Sequence, residues 1–451
     1  MRGPHFGLPS RSKAMDNDAR IFGETARVDC WISGGPRQGA RWGFIRMGNF
    51  SRRGFLKLSG VTGAGLGASW LLAGCGRDDA GADVGSGSEP EAPGLKIGIS
   101  IWSSTDALGK LSVDICKTAA DVLGVETVVV DQGHDSKKVT ASAETLASAG
   151  CSGMMVCNSA DDEMTSVINT CDQNKMYVAQ FYRTISQDES PDVYSVAEGS
   201  PYYVGAVHED EVDNGKRLAT LLVTDNPDAA AELQKGARMI CLEGWTVGDA
   251  TFALRWEGYK EGVKEWNDAN PDDHVTLTDP IYANTSSSEG ASVTQQFYNT
   301  YPDMDALIVA GGGGDPLIGS VGQLRNMGLT GKVRVASTDF LGDLEGQLET
   351  GGIYCESGGH FCDPLYAFIM TYQACKGTDG FVPKKGDFGL DITFPYVFVS
   401  SVAEYQEYAK YFLDDAPYNE DEIRELADMS FDDLAAAAKR FSVEDVKGRH
   451  A

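Results

Sequence analysis

From residue 95 onward, short β-branched or apolar runs alternate with longer amphipathic segments, and this rhythm restricts the fold more than any other feature of the chain. The run LKIGISIW at 95–102 reads as a buried strand. Residues 106–124 place Leu108, Leu111, Ile115, Ala119, Val122 and Leu123 at helical spacing and stop at Gly124. Strands at 125–130 (VETVVV), 153–157 (GMMVC) and 176–181 (MYVAQF) alternate with helices at 136–150 and 161–173. After a strand at 202–207 the rhythm restarts. Helices at 213–223, 253–266, 292–301 and 317–327 now alternate with strands at 238–243, 306–310 and 333–337 and a strand edge at 275–281. A helix at 360–377 and a strand at 390–400 (LDITFPYVFVS) follow, then acidic helical segments from Val402, with Ser430 placed to cap a helix at 431–440. Such alternation predicts α/β architecture with parallel sheets covered by helices on both faces. The two units stand in series, and their combined length exceeds one ordinary core, so two lobes are expected.

Ahead of this body, residues 51–75 read SRRGFLKLSGVTGAGLGASWLLAGC. The pair Arg52-Arg53 followed by Phe55, Leu56 and Lys57 matches a twin-arginine export signal. The ending Leu72-Ala73-Gly74-Cys75 resembles a lipobox, whose cysteine receives a lipid. A membrane-spanning helix is the alternative, but the apolar stretch is shorter than the roughly 20 residues a span needs. Residues 1–74 are therefore expected to be a removed leader and signal; Met47 begins a complete signal of its own. Residues 75–94, rich in Gly, Ser, Pro and acid, read as a flexible tether.

Charge divides at the same place. The chain carries a formal net charge of −28, while its first 75 residues hold 11 Lys+Arg against 4 Asp+Glu. The remainder is thus more acidic still, which argues against nucleic acid or an anionic membrane surface as partner. Beyond Cys30 and Cys75, eight cysteines remain: 116, 151, 157, 171, 241, 355, 362 and 375. They include no C-x-x-C and no zinc-site spacing, and no cofactor or metal is expected. Cys157/Cys171 and Cys355/Cys362 lie near enough in sequence to pair; the alternative is that the cysteines are small buried apolar residues. An exported enzyme is disfavoured by the lack of HExxH or GxSxG spacing and by having only six histidines.

Three segments in order then carry a resemblance: GAVHEDEVDNGKRLATLLV, RMICLEGWTVGDATFALRWEGYKEGVKEW and VRVASTDF. They are similar to segments of the sugar-type periplasmic binding proteins of ABC transporters, the ribose- and galactose-binding group, over roughly 95–400. The resemblance implies two Rossmann-like lobes joined by a three-stranded hinge, the type I arrangement, closing on a ligand. Crossings are expected near Glu209, Gly359 and Leu390. Lobe I would then comprise 95–209 plus 360–389, lobe II 210–359 plus 390–401, and 402–451 an acidic helical tail that docks a partner or supports a lobe.

Ligand residues in such a fold follow the strand ends. Trp102, Ser103 and Ser104 follow the first strand, where the indole stacks on a ring or packs between lobes. Asn158 stands where the family often has Asn. Tyr182-Arg183 replaces an Asp-Arg pair, and Arg183 offers a planar fork to hydroxyls or forms a surface ion pair. Trp245 and Asp249 occupy the corresponding loop of the second lobe. The family's ligand arginine corresponds best to Ala253, with Arg255 beside it. Gly313 and Asp315 belong to a five-residue glycine-rich run in place of an Asn-Asp pair, where backbone N–H groups approach a ligand. Asp339 matches the family's ligand carboxylate, with a helix N-cap as the alternative. His360 stands where an amide is usual, with a packing role as the alternative. The resemblance implies a sugar-like ligand, a membrane permease as partner, a monomer, and no catalysis. The same cleft also serves sensing modules that feed a receptor or kinase.

Overall fold

In the computed structural model, residues 94–451 are described apart from His134, Asp228, Ala230 and 311–314. The expected leader, export signal and Cys75, residues 76–93 of the expected tether, and Gly313 therefore lie outside the described residues. In chain order the first lobe contains β1 (Lys96–Ile101), α1 (Ala107–Leu123), β2 (Glu126–Asp131), α2 (Ser136–Ser148), β3 (Gly153–Val156), α3 (Asp161–Asn174), β4 (Tyr177–Phe181), α4 (Pro191–Gly199) and β5 (Tyr203–Glu209). The second contains α5 (Glu211–Val223), β6 (Met239–Gly244), α6 (Ala250–Ala269), β7 (Thr276–Leu277), β8 (Ile281–Tyr282), α7 (Ser287–Thr300), β9 (Ala306–Val309), α8 (Asp315–Asn326), β10 (Arg334–Thr338), α9 (Leu344–Thr350) and β11 (Cys355–Gly358). The chain closes with α10 (Asp363–Lys376), β12 (Leu390–Phe394), β13 (Val397–Val399), α11 (Val402–Ala409), α12 (Glu420–Asp428), α13 (Phe431–Arg440) and α14 (Val443–Arg449).

Two sheets result, ordered β12-β5-β4-β3-β1-β2 and β13-β11-β10-β9-β6-β7, with β8 also paired to β6. All pairings are parallel except β11 with β13. In both sheets the order reverses beside the first strand of the lobe, and the crevice outside the carboxyl ends of the strands opens there. Local signals set the elements. Asp106 Oδ1 accepts from Gly109 N at 2.7 Å to start α1, and Gly124 ends it with φ of 68°. Ser430 caps α13, as its sequence position predicts. The helix expected from 292 starts earlier, at Ser287, because Ser286 caps it.

Two expectations are corrected. The strand read over 390–400 and given to the second lobe is two strands. β12 runs parallel to β5 in the first sheet, and β13 runs antiparallel to β11 in the second. Pro395 separates them, since proline has no N–H for a ladder and restricts the residue before it. The third crossing therefore falls at Pro395-Tyr396, not near Leu390. The edge strand read over 275–281 is likewise two short strands, interrupted before Ile281 by Pro280.

All eight cysteines of the folded body are free, so neither suggested pair is bonded. Cys355 lies in β11, whereas Cys362 precedes α10 after the chain has left that sheet. Burial pushes the Cys157 and Cys375 thiols up to about 12, which leaves them unreactive packing groups. The tail is packed rather than loose: α12 lies on α1 and α10, and α13 lies on β12. Tyr366 and Tyr418 share a hydroxyl–hydroxyl bond of 2.7 Å between α10 and the tail.

Candidate functional site

The three chain crossings pass through 209–211, 359–362 and Pro395-Tyr396, and polar residues converge around them. At the start of α5, Glu211 receives Arg255 of α6 through both carboxylate oxygens, at 2.6 and 2.8 Å. Tyr396 from the third crossing completes the cluster. Its hydroxyl accepts from Arg255 Nη2 and donates to Glu211 Oε1, each at 3.1 Å. Glycines make this contact reachable. A Cβ on Gly215 would collide with the Arg255 carbonyl oxygen, and one on Gly258 with that of Val212. The two helices therefore lie almost backbone to backbone. Burial alone would raise the Glu211 carboxyl, but the Arg255 guanidinium overrides it and holds the group below its usual value.

From the first lobe, a row of rings leads into the same place. Trp102 lies 5.6 Å from Tyr182, Tyr182 lies 5.2 Å from His360, and His360 lies 4.6 Å from Tyr396. Tyr182 takes a positive φ of 61° at the end of β4, and its hydroxyl bonds Ser112 at 2.8 Å. The next residue, Arg183, donates to the Tyr182 carbonyl and lies within electrostatic reach of Asp249 and Glu211 across the cleft. At the end of β10, Asp339 also has a positive φ, 71°, and its N–H donates to Ser357 O at 2.7 Å. Its Oδ1 stands 3.4 Å from His360 Nε2. Burial pulls the His360 imidazole below its usual value despite Asp339, which keeps it neutral near pH 7.

Beneath this row, Glu209 at the first crossing meets Asp363 at the second. Glu209 Oε1 and both Asp363 oxygens are buried without a hydrogen-bond partner. Buried carboxyl groups without a counter-charge favour the protonated, neutral form. Burial, then Glu211, pushes Glu209 up to about 8, and burial and Glu209 push Asp363 up as well. Both groups therefore favour their protonated, uncharged forms near neutral pH.

The sequence-derived residues separate into two sets. Trp102, Tyr182, Arg183, His360 and Asp339 are joined by contacts around the crossings, and Asp249 lies within electrostatic reach of Arg183. The remaining groups are used locally. Ser103 Oγ accepts from the N–H groups of Thr105 and Asp106, and Ser104 bonds Asp131 through its N–H and hydroxyl at 2.8 and 2.7 Å. Asn158 accepts from Gln180 and donates to Ala160 O. Trp245 packs partly against the core of the second lobe. Asp249 also caps α6 through Phe252 N. Asp339 is not an N-cap; α9 is preceded by Asp343. Asp315 opens α8, with its side chain outside the described set.

Glu211, Tyr396, Glu209 and Asp363 were not singled out from the sequence, and Arg255 only as a neighbour of the matched position. The usable signal was the acidic run HEDEVD at the first crossing, which needs a cation to be buried. Taken together, the cleft offers carboxylates, a guanidinium fork and ring faces. These groups hydrogen-bond hydroxyls strongly and cover the apolar face of a small polar ring.

Residues 97–358 match the model of a family described as periplasmic binding protein domain. No curated protein matches the chain. Among solved structures, similar folds include a galactofuranose binding protein, at 16% identity and a TM-score of 0.55, covering 70% of this chain and 98% of that one. An ABC transporter solute binding protein from Bacillus halodurans with bound myo-inositol is 18% identical, with a TM-score of 0.54, covering 71% and 100%. A twin-arginine translocation pathway signal protein from Burkholderia phytofirmans is 16% identical, with a TM-score of 0.57, covering 72% and 95%.

Proposed function

The chain belongs to the periplasmic binding protein domain family, and from that premise we propose that it is the extracytoplasmic solute-binding component of an ABC transporter. It captures a small polar ligand, a sugar or sugar derivative, between its lobes and presents it to a membrane permease. The observation that carries this reading is the chain Tyr182–His360–Asp339, which joins the two lobes at their strand ends, the Tyr182 and His360 rings 5.2 Å apart and His360 Nε2 3.4 Å from Asp339 Oδ1. Such groups bind hydroxyls, and closing two lobes on them excludes water and strengthens each contact. The family consists of binding proteins, and the cleft is read as a capture site without catalysis. Several structural neighbours are named as sugar binders, which supports the same ligand class for this chain.

Export by the twin-arginine route, lipid attachment at Cys75 and a tether over 75–94 complete the proposal and place a monomer at the outer face of the cell membrane. The neighbour named as a twin-arginine pathway protein supports the route.

A thermal-shift screen against monosaccharides, inositols, nucleosides and small acids tests the binding reading. A ligand at 100 times its Kd stabilises the native state by about 2.7 kcal/mol and raises Tm by several degrees. Asp339→Asn, which tolerates the same left-handed backbone, removes that shift and leaves the ligand-free Tm nearly unchanged. A broad panel without a single stabilising compound rejects solute capture.

A further inference from the structure

The family match ends at residue 358, yet the chain continues through four helices after β13, and the first of these, α11, reaches back to the turn after β10. Phe340, the residue after Asp339, is wedged between two surfaces. On one side its ring covers Gly358, where a Cβ would come within 2.8 Å of it. On the other lies the ring of Tyr408 from α11, edge-on at 4.9 Å. Tyr408 is buried, and it also sits over Gly359 at the second crossing, 3.0 Å from where a Cβ would be. Glycine at 358 and 359 makes room for the two rings. Further along the same loop, Leu341 N donates to buried Glu356 at 3.0 Å, and Gln406 of α11 donates to Glu345 of α9 at 2.7 Å.

The other end of this contact is anchored in the first lobe. Tyr408 packs on Phe412 at 4.8 Å, Phe412 on Phe441 at 5.2 Å, and Phe441 on Phe394 of β12 at 4.7 Å. Between α11 and α12 the chain turns through a π-helical segment, Lys410–Asp414, and passes from the second lobe back to the first. This is a fourth crossing in addition to the three of the hinge. One continuous apolar cluster joins Phe181 of the first lobe, Phe361 at the second crossing, Tyr408 and Phe412 of the tail, and Leu341 and Leu344 of the second lobe.

We propose that Tyr408 is a positioning residue for ligand capture, holding the Asp339–Phe340 turn in place from the tail. The inference rests on the cleft reading above. Asp339 adopts a backbone conformation that L-residues rarely enter, and such a conformation persists only where surrounding contacts over-determine it. The Phe340–Tyr408 contact supplies that constraint from outside the lobe. Hinge motion must then carry the tail with it or slide Tyr408 over Phe340, so the tail acts on the lobe angle as well as on the carboxylate.

Two measurements on Tyr408→Ala and Tyr408→Phe test this. In the ligand-free protein, amide hydrogen exchange at Asp339 and Leu341 quickens at least tenfold in Tyr408→Ala, with the central strands β3 and β9 unchanged. Tyr408→Phe keeps the ring and exchanges as the native protein does. Unchanged exchange at Asp339, or an equal rise in β3 and β9, overturns the proposal. In titrations with D-galactose, D-ribose and myo-inositol, any of the three that the native protein binds binds Tyr408→Ala at least fivefold more weakly and Tyr408→Phe within twofold. Equal affinity for Tyr408→Ala overturns the proposal too. If the native protein binds none of the three and no other compound stabilises it, the cleft reading fails, and the exchange data alone decide whether Tyr408 holds the turn.

Discussion

Arg255 shows what a single side chain does at this hinge. Its guanidinium is buried, paired to both oxygens of Glu211 and touched by the Tyr396 hydroxyl. Removing it leaves a buried carboxylate without a counter-charge, so Arg255→Ala is expected to cost about 3–5 kcal/mol in urea unfolding; a cost under about 1 kcal/mol shows that Glu211 is compensated some other way. The Glu209–Asp363 pair makes a different prediction. Glu209 is pushed from 4.5 to about 8 by burial and by Glu211, so the folded state holds a proton that the unfolded state releases at lower pH. Stability from this group is full below about 4.5 and is lost as pH rises toward about 8, at up to ~1.4 kcal/mol per pH unit. His208, raised by its Asp391 partner against the effect of burial, adds loss of the same sign. Glu209→Gln supplies a permanent donor to Asp363 and should flatten the stability–pH curve over that interval. An unaltered slope in the variant rules out Glu209 as the source of the pH dependence. At this scale the sequence was partly legible. Asp339 and Arg183 follow recognisable strands, whereas Tyr396 and Asp363 matter only because distant segments meet.

Among elements, the α5–α6 pair decides how the second lobe presents its charges. Gly215, Gly258 and Gly262 line the contact, and the helices come close enough for Arg255 to reach the first turn of α5. Gly215→Ala should force them apart. Helix propensity favours the substitution by roughly 1 kcal/mol, so a net loss of about 2 kcal/mol or more in denaturant unfolding measures the collision with the Arg255 carbonyl. A neutral or stabilising result refutes the close approach. The glycines were visible in N-G-K-R and R-W-E-G-Y, but sequence spacing alone assigns a helical glycine no partner. Strand 390–400 failed for a related reason. Its apolar pattern is continuous, and only pairing with β5 and then with β11 reveals that Pro395 sends the chain from one sheet to the other.

For the whole molecule, the proposed reading pairs a capture cleft with a lipid anchor. Cys75→Ala should release the exported protein from membranes into the soluble fraction, and continued membrane association disproves the lipid anchor. What the sequence determined by itself was the order and period of strands and helices, hence two α/β lobes, because hydrophobic periodicity is a local property. Tertiary structure alone decided three things: the third crossing at Pro395-Tyr396, the burial of Glu209 and Asp363 without hydrogen-bond partners, and the return of the tail to Asp339 through Tyr408 and Phe340. Each depends on contacts between segments far apart in the chain, and such contacts leave no periodic trace in the residues that make them.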